Sequence, residues 1–369
     1  MSQSIFTRKS RLLSLCLSLS LGFSATATWA TERIIVPIVF YTPDTGVAGG
    51  ASIIWVKPYE EASKPRKDSL STFIFLTQKG QSMFATSANK FLDQGNWLLT
   101  PSIALGLSNS NHYAFGATAP ANSLEKYESE FIKLKLGAGK QLWQDTFLGP
   151  ELVLERLNYT DLNKAPQLSA YLNQQAEPNS QSLHGLGIRL KRDTRDSSFY
   201  PTQGVLSQFA LRRFDRALGS DFNYDRFELE HRRYLPMGDK SVLAIQAKID
   251  VAQGNTPYSD LPTLGGANSL RGVLKDRYRD NAALSTQIEW RQIVSARWGY
   301  AVFMGAGDVF DGLNNTRFTH LKYAFGSGLR YALNDQERIN LRLDLGYGGA
   351  LGSAEADGMN MYIQITEAF

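Results

Sequence analysis

From Ile34 onward, apolar and polar residues alternate with a period of two, the spacing that puts successive side chains on opposite faces of a β-strand. Segments of this kind are Ile34–Tyr41, Val47–Lys57, Asp68–Thr77, Ser82–Leu92, Gly95–Leu107, Glu128–Gln141, Thr146–Tyr159 and Ser182–Arg195. The second half continues with Gln203–Asp215, Asp221–Leu235, Lys240–Ala252, Asn281–Val294, Arg297–Asp308, His320–Ala332, Gln336–Tyr347 and Asn360–Phe369. Clusters of Gly, Asn, Asp and Pro separate them, as in Pro43-Asp44-Thr45-Gly46. No stretch with a 3.6-residue period stands out, and no apolar run approaches the ~20 residues of a membrane helix. The pattern predicts an all-β chain of about sixteen antiparallel strands, an even number as in single-chain outer-membrane barrels.

The faces are clean near the end of the chain. Ile339, Leu341, Leu343, Leu345 and Tyr347 share one face; Arg338, Asn340, Arg342 and Asp344 share the other. In a soluble sandwich the apolar face would be core; in a transmembrane barrel it would meet lipid, and the polar face would line a charged lumen. Alternation alone does not separate these. The strand lengths, the final Phe369 and the N-terminus favour the barrel. Arg8, Lys9 and Arg11 precede an apolar run from Leu12 to Phe23, then small residues ending in Ala25-Thr26-Ala27 or Thr28-Trp29-Ala30. That is the layout of a secretory signal peptide over residues 1–30, leaving 31–369 as the barrel.

Composition adds little that conflicts. Glycine (31) and tyrosine (16) are plentiful, and the net charge of +4 is small for the length, which suggests no nucleic-acid partner. The single cysteine, Cys16, lies in the expected signal and follows Leu15, so neither a disulfide nor a lipoprotein site is expected. His112, His184, His231 and His320 are scattered, and no metal site or cofactor motif is legible. There is no G-x-S-x-G elbow and no P-loop, and Ser182 is only a sequence neighbour of His184, so the chain reads as a non-enzyme. Trp55, Trp97, Trp290, Trp298 and Tyr300 fit interfacial girdles better than a ligand box.

With a periplasmic N-terminus, the long connections 108–127, 160–181, 253–280, 309–319 and 348–359 all fall on the outer side. The inner ones are short except the charged 57–68 segment. The connection from Gln253 to Asp280, roughly 28 residues, is long enough to be functional or disordered. It carries Leu264-Gly265-Gly266-Ala267-Asn268-Ser269-Leu270-Arg271-Gly272.

That stretch resembles the arginine-bearing loop motif of the BamA/TamA-type outer-membrane assembly-factor superfamily, also called bacterial surface antigens. Asp193-Thr194-Arg195-Asp196 with Pro201 and Gly204 resembles a strand-turn-strand segment of that family, and Tyr41–Gly46 its opening hairpin. The terminal Phe369, with Ile363 and Ile365 on its face, is similar to the family's insertion signal. The resemblance covers the whole chain after the signal, as a barrel alone, with no room for the periplasmic POTRA domains of well-known members. Two departures stand out. The family's F-x-D-x-G reads Phe303-Met304-Gly305-Ala306-Gly307, without its carboxylate, and Asp308 sits on the opposite face; Glu367 stands where an apolar residue is usual.

The resemblance implies that the loop folds into the barrel lumen with Arg271 as anchor, beside Leu270 and Gly272 and after the loop glycines Gly265 and Gly266. A buried guanidinium needs a carboxylate, and Glu289, on the inward parity of the following strand, is the expected partner; a solvated loop arginine is the alternative. Asp193 and Arg195 read either as charges at the membrane rim or as a lumenal ladder with Arg189 and Lys191. Pro37 removes a ladder donor from the first strand, which suggests a seam against the last strand, ending at Phe369, unless pairing simply begins after Pro37. The implied role is insertion or translocation of client proteins or lipids through that seam, in the outer membrane of a Gram-negative bacterium, with a separate periplasmic partner. A channel or structural surface-antigen barrel that kept only the fold is the alternative.

Overall fold

The computed structural model describes residues 32–58, 67–333, 338–350 and 358–369. The expected signal peptide, most of the charged 57–68 connection, the start of the strand expected from Gln336 and most of the 348–359 connection lie outside them. Eighteen strands follow in chain order: β1 (Glu32–Thr42), β2 (Gly46–Pro58), β3 (Lys67–Thr77), β4 (Ser82–Leu92), β5 (Trp97–His112), β6 (Glu125–Trp143), β7 (Thr146–Asp161), β8 (Ser180–Asp193) and β9 (Gly204–Phe214). Then come β10 (Tyr224–Pro236), β11 (Ser241–Gly254), β12 (Thr263–Leu264), β13 (Tyr278–Arg279), β14 (Ala282–Ile293), β15 (Trp298–Phe310), β16 (Lys322–Ala332), β17 (Asn340–Ala350) and β18 (Gly358–Ile365).

Sixteen of these close into one antiparallel barrel in which each strand pairs with its sequence neighbours and β18 returns to β1; β12 and β13 form a separate two-stranded ribbon within the long connection. Pairing between neighbouring strands satisfies most of the wall's backbone groups without water, which is why a chain that alternates with a period of two settles into a closed barrel. Among the described residues no helix is long and apolar enough to cross a membrane. The faces follow the alternation: Leu345 and Tyr347 point out and are exposed, while Asn340, Arg342 and Asp344 point in and are buried. Trp97, Trp143, Trp290 and Trp298 are exposed near the short-turn ends of their strands, where a barrel carries its interfacial aromatics.

Three features depart from the expected pattern. A nine-residue helix, α1 (Pro166–Gln174), caps the long-loop end. Its Leu168 and Leu172 pack on Tyr127, Tyr159 and Tyr258, and the amides of Gln167 and Leu168 donate to the Glu125 carboxylate at 2.9 and 3.0 Å. Such a helix is too short to imprint a period on the sequence. Several strands are longer than expected, β6 reaching 19 residues, because pairing continues beyond the bilayer. The last strand, by contrast, stops at Ile365 rather than running to Phe369. Thr366 has φ +72°, and the chain then turns into the bore, where Ala368 and Phe369 are buried against Tyr200, Tyr234, Val242 and Ala244.

Closure is uneven around the ring. β1 pairs with β2 through eleven registered residues, and β17 with β18 through eight. Among the described residues there is one between β1 and β18, Tyr41 opposite Ile363. The inward turn at Thr366 takes away the residues that would continue this ladder along β1, whose outward-facing Pro37 has no N–H to offer.

Candidate functional site

The connection between β11 and β14 does not extend away from the barrel. Its β12–β13 ribbon brings Leu264, Leu270, Val273 and Tyr278 against the inward-facing Ala283, Val309 and Ala324, forming a buried apolar cluster. The turn needs glycine at two points. Gly265 has φ +118°, and a Cβ there would lie 1.9 Å from the Leu274 carbonyl oxygen. Gly272 has φ +110°, and a Cβ there would lie 2.7 Å from the Tyr347 backbone. The wall opposite matches, because a Cβ on Gly348 would lie 2.7 Å from the Gly272 carbonyl carbon and one on Gly346 would crowd the Gly272 backbone at 3.1 Å. Gly266 also has positive φ, and its amide donates to the Val273 carbonyl at 2.9 Å.

This close approach sets the loop backbone against the last two strands. The Gly272 amide donates to the Tyr362 hydroxyl (3.2 Å), and Asn360 Nδ2 donates to the Gly272 carbonyl (2.8 Å). The Arg271 amide donates to Gln287 Oε1 at 3.2 Å. The Arg271 side chain is fully buried; its Nη1 lies 2.6 Å from Glu289 Oε2 and 3.0 Å from Asp344 Oδ2, and its guanidinium stacks on Phe303 with 3.8 Å to the ring centre. Glu289 also holds Arg291 (2.6 Å) and Arg330 (3.4 Å); Asp344 holds Arg330 (2.6 Å) and Arg342 (2.8 Å). Glu367, on the inturned tail, reaches Arg330 at 2.8 Å, and Arg291 donates to the Phe369 main-chain oxygen at 2.6 Å. Four guanidinium groups are thus interleaved with three carboxylates, all but removed from solvent. Each carboxylate shared by two or more arginines offsets desolvation that one pair alone would not.

The geometry explains both departures from the family pattern. At Gly305 a Cβ would lie 2.7 Å from the Thr286 carbonyl oxygen and 2.9 Å from Gln287 Cγ and Leu270 Cδ1, so the neighbouring strand and the loop's own leucine together leave no room for an aspartate side chain. The second carboxylate comes from Asp344 instead, two strands away. The alternation puts Asp344 on the inward face but carries no signal linking it to Arg271; that needs the tilt and closure of the wall. Asp308 takes no part in this cluster and pairs with Lys322 at 2.5 Å. Glu367 is tolerated because its side chain faces arginines in the bore. Phe369 lies 5.7 Å from the Arg271 guanidinium rather than on the outer face with Ile363 and Ile365.

Asp193 and Arg195 meet each other, with Nε–Oδ1 at 2.8 Å and Nη2–Oδ2 at 2.9 Å, a bidentate pair at the short-turn end. The ladder with Arg189 does not form. Arg189 turns to Thr100 (3.2 Å), Gln208 (2.9 Å) and Glu151 (3.7 Å), and Lys191 reaches Asn89 at 3.4 Å. Here the bore stays open as a cavity of about 470 Å³ whose lining includes Lys135, Glu151, Arg189, Arg212, Glu228 and Lys248. The loop fills the side of the bore beneath β14–β18; the opposite side is polar and hollow.

A model of the Omp85 superfamily domain matches residues 50–360. The chain belongs to the Omp85 superfamily. Among solved structures, BamA from Haemophilus ducreyi lacking POTRA domains 1–3 superposes with a TM-score of 0.62 at 14% identity, over 90% of this chain and 70% of that one. CdiB from Acinetobacter baumannii gives 0.60 at 15% identity, and CdiB from Escherichia coli 0.56 at 9%; each covers 90% of this chain. This chain spans 59% and 62% of those two. At such identities the likeness is one of fold. A search of curated protein sequences found no match. This Omp85 barrel is an outer-membrane β-barrel in which the loop arginine meets its carboxylates on β14 and β17 rather than on β15.

Removing one side of a dry ion pair strands the other, at about 3–5 kcal/mol. Arg271→Ala should therefore lower the thermal midpoint of the folded, faster-migrating form on unheated gels, and Glu289→Gln should act less than additively with it. Gly305→Asp, which restores the family's carboxylate, should destabilise as well, because its Cβ would crowd the Thr286 carbonyl and displace Leu270. Wild-type midpoints for these variants would contradict the assignment.

The loop also touches the other side of the seam. In the β1–β2 turn, Asp44 accepts from the Lys275 backbone and from Asn111 Nδ2 (3.3 Å). Burial pushes its carboxyl up to about 6, helped by Asp276 and opposed by the Lys275 and Lys79 charges. A folded-state value above the unfolded one means folding favours the proton. The contribution is greatest below the ordinary aspartate value near 3.8 and is lost as pH rises through 6. Asp44→Asn should flatten the change in thermal midpoint between pH 4 and 7 without lowering stability at pH 7.5; an unchanged pH profile would contradict this.

Proposed function

We propose that this protein acts in the outer membrane of a Gram-negative bacterium by letting client polypeptides or lipids pass sideways between β1 and β18. The observation that carries this reading is the single registered pair, Tyr41 with Ile363, at a junction whose neighbours hold eight and eleven. In hydrocarbon, an unpaired backbone group costs several kcal/mol, so the free edges of β1 and β18 are the part of the wall most ready to pair with an incoming strand. The loop gives the rest of the wall rigidity: its charge cluster ties β14, β16 and β17 together and leaves β1 out. Membership in the Omp85 superfamily and the fold shared with BamA and CdiB support the same role. Periplasmic delivery would fall to a separate partner protein, and the first thirty residues would serve as the export signal. The reaction needs no bond chemistry from the barrel, and we assign it none.

A second reading has one observation in its favour. The polar cavity of about 470 Å³ would suit a channel that keeps the fold without moving clients.

One experiment separates them. Apart from Cys16 the chain has no cysteine, so Tyr41→Cys with Ile363→Cys gives a single addressable pair at the seam. Oxidised protein in liposomes should lose most of its ability to insert a client barrel, and reductant should restore it. Full insertion with the seam locked would overturn the proposal; ion conductance that ignores the lock would favour the channel.

A further inference from the structure

The outer wall carries a polar cluster that neither the lumenal loop nor the seam explains. On β8, Leu186, Ile188 and Arg192 share the outward parity, and the first two are exposed to the lipid side. On β9 the same face runs from exposed Leu211 down to Ser207. Arg192 lies directly opposite Ser207, and Ser207 directly opposite His231 on β10. Residues so paired have Cβ atoms about 5 Å apart. Ser207 Oγ is 2.8 Å from His231 Nδ1, which leaves the other imidazole nitrogen facing outward. Arg233 stands two residues further along the same face of β10.

Arg192, His231 and Arg233 are all exposed. Among the described residues, neither arginine has a carboxylate within ion-pair distance. Their inward neighbours are different: Glu230 and Arg232 pair with each other on the lumen side at 2.7 Å. In the adjoining turn, the Asp196 carboxylate is engaged by the Thr202 hydroxyl and by the amides of Ser197 (3.0 Å) and Thr202 (2.9 Å). The outward cations are therefore left uncompensated by protein.

Their level decides what would compensate them. They sit at the short-turn ends of β8–β10, where other strands show exposed Trp97, Trp143, Trp290 and Trp298. Those tryptophans, on β5, β6, β14 and β15, mark the boundary between acyl chains and headgroups. At the same level β8–β10 present two guanidinium groups, an imidazole and a hydroxyl. We infer that this patch, on the opposite side of the barrel from the seam, binds the phosphate of an anionic phospholipid in the periplasmic leaflet. Arg192 and Arg233 supply the charge; His231, held by Ser207, supplies a directed donor. The acyl chains lie on Leu186, Ile188 and Leu211.

The test uses the whole protein in a phosphatidylcholine bilayer doped with phosphatidylglycerol, with native mass spectrometry of the lipid retained on release. Wild type should retain phosphatidylglycerol in preference to phosphatidylcholine, and inorganic phosphate should not displace it. Arg192→Gln with Arg233→Gln should cut that retention roughly thirtyfold, from about 1 kcal/mol for each of two headgroup-level cations. Lys140→Gln, which removes an exposed cation of β6, should leave it unchanged. No preference between the two lipids, equal retention by the double variant, or displacement by inorganic phosphate would each overturn the inference. The lipid preference of wild type decides the matter even if the double variant folds poorly.

Discussion

The structure depends on one guanidinium held where water does not reach. Arg271 lies between Glu289 and Asp344 with its flat face on Phe303. An isolated charge in that place would be driven out. Sharing among arginines and carboxylates makes it tenable, and the loop backbone has to come with it. Glycine permits the approach, because Gly272 rests on a wall with no side chains at Gly346 and Gly348. The charge supplies the affinity and the glycines supply the fit.

The same arrangement divides the wall into a braced part and a loose part. Strands β14 and β17 each contribute two charged residues to the cluster and β16 one, and β18 contributes Asn360 and Tyr362 to the loop backbone. The tail beyond Ile365 leaves the sheet and adds Glu367 and Phe369 to the same cluster. What strengthens the bore therefore shortens the last ladder. The short β1–β18 ladder goes with where the final residues lie, since the residues that would extend it turn into the bore.

The fold was largely legible in the chain because the bilayer enforces a strict period of two: outward residues are apolar, inward residues are not, and a one-residue slip would reverse both. Sixteen segments read from that alternation correspond to the sixteen wall strands. Elements that do not face lipid carry no such constraint, so α1 and the β12–β13 ribbon left no readable trace. The site was legible in part. Arg271 and Glu289 could be named from a motif and a parity. Asp344 could be placed on the correct face, but its partner lies across the curve of the wall, which no linear pattern encodes. The turn at Thr366 was illegible because a single positive φ at a non-glycine residue has no sequence signature. Phe369 therefore read as a strand end although it is buried in the bore.

The central claim is that residues around Arg271 form part of the barrel's interior as firmly as the wall does. Amide hydrogen exchange on the protein in a lipid bilayer measures this directly, segment by segment. The account predicts that amides of 264–273 exchange as slowly as those of Ala282–Ile293 and far more slowly than those of the 311–321 connection. Exchange of 264–273 at the rate of 311–321 would contradict it.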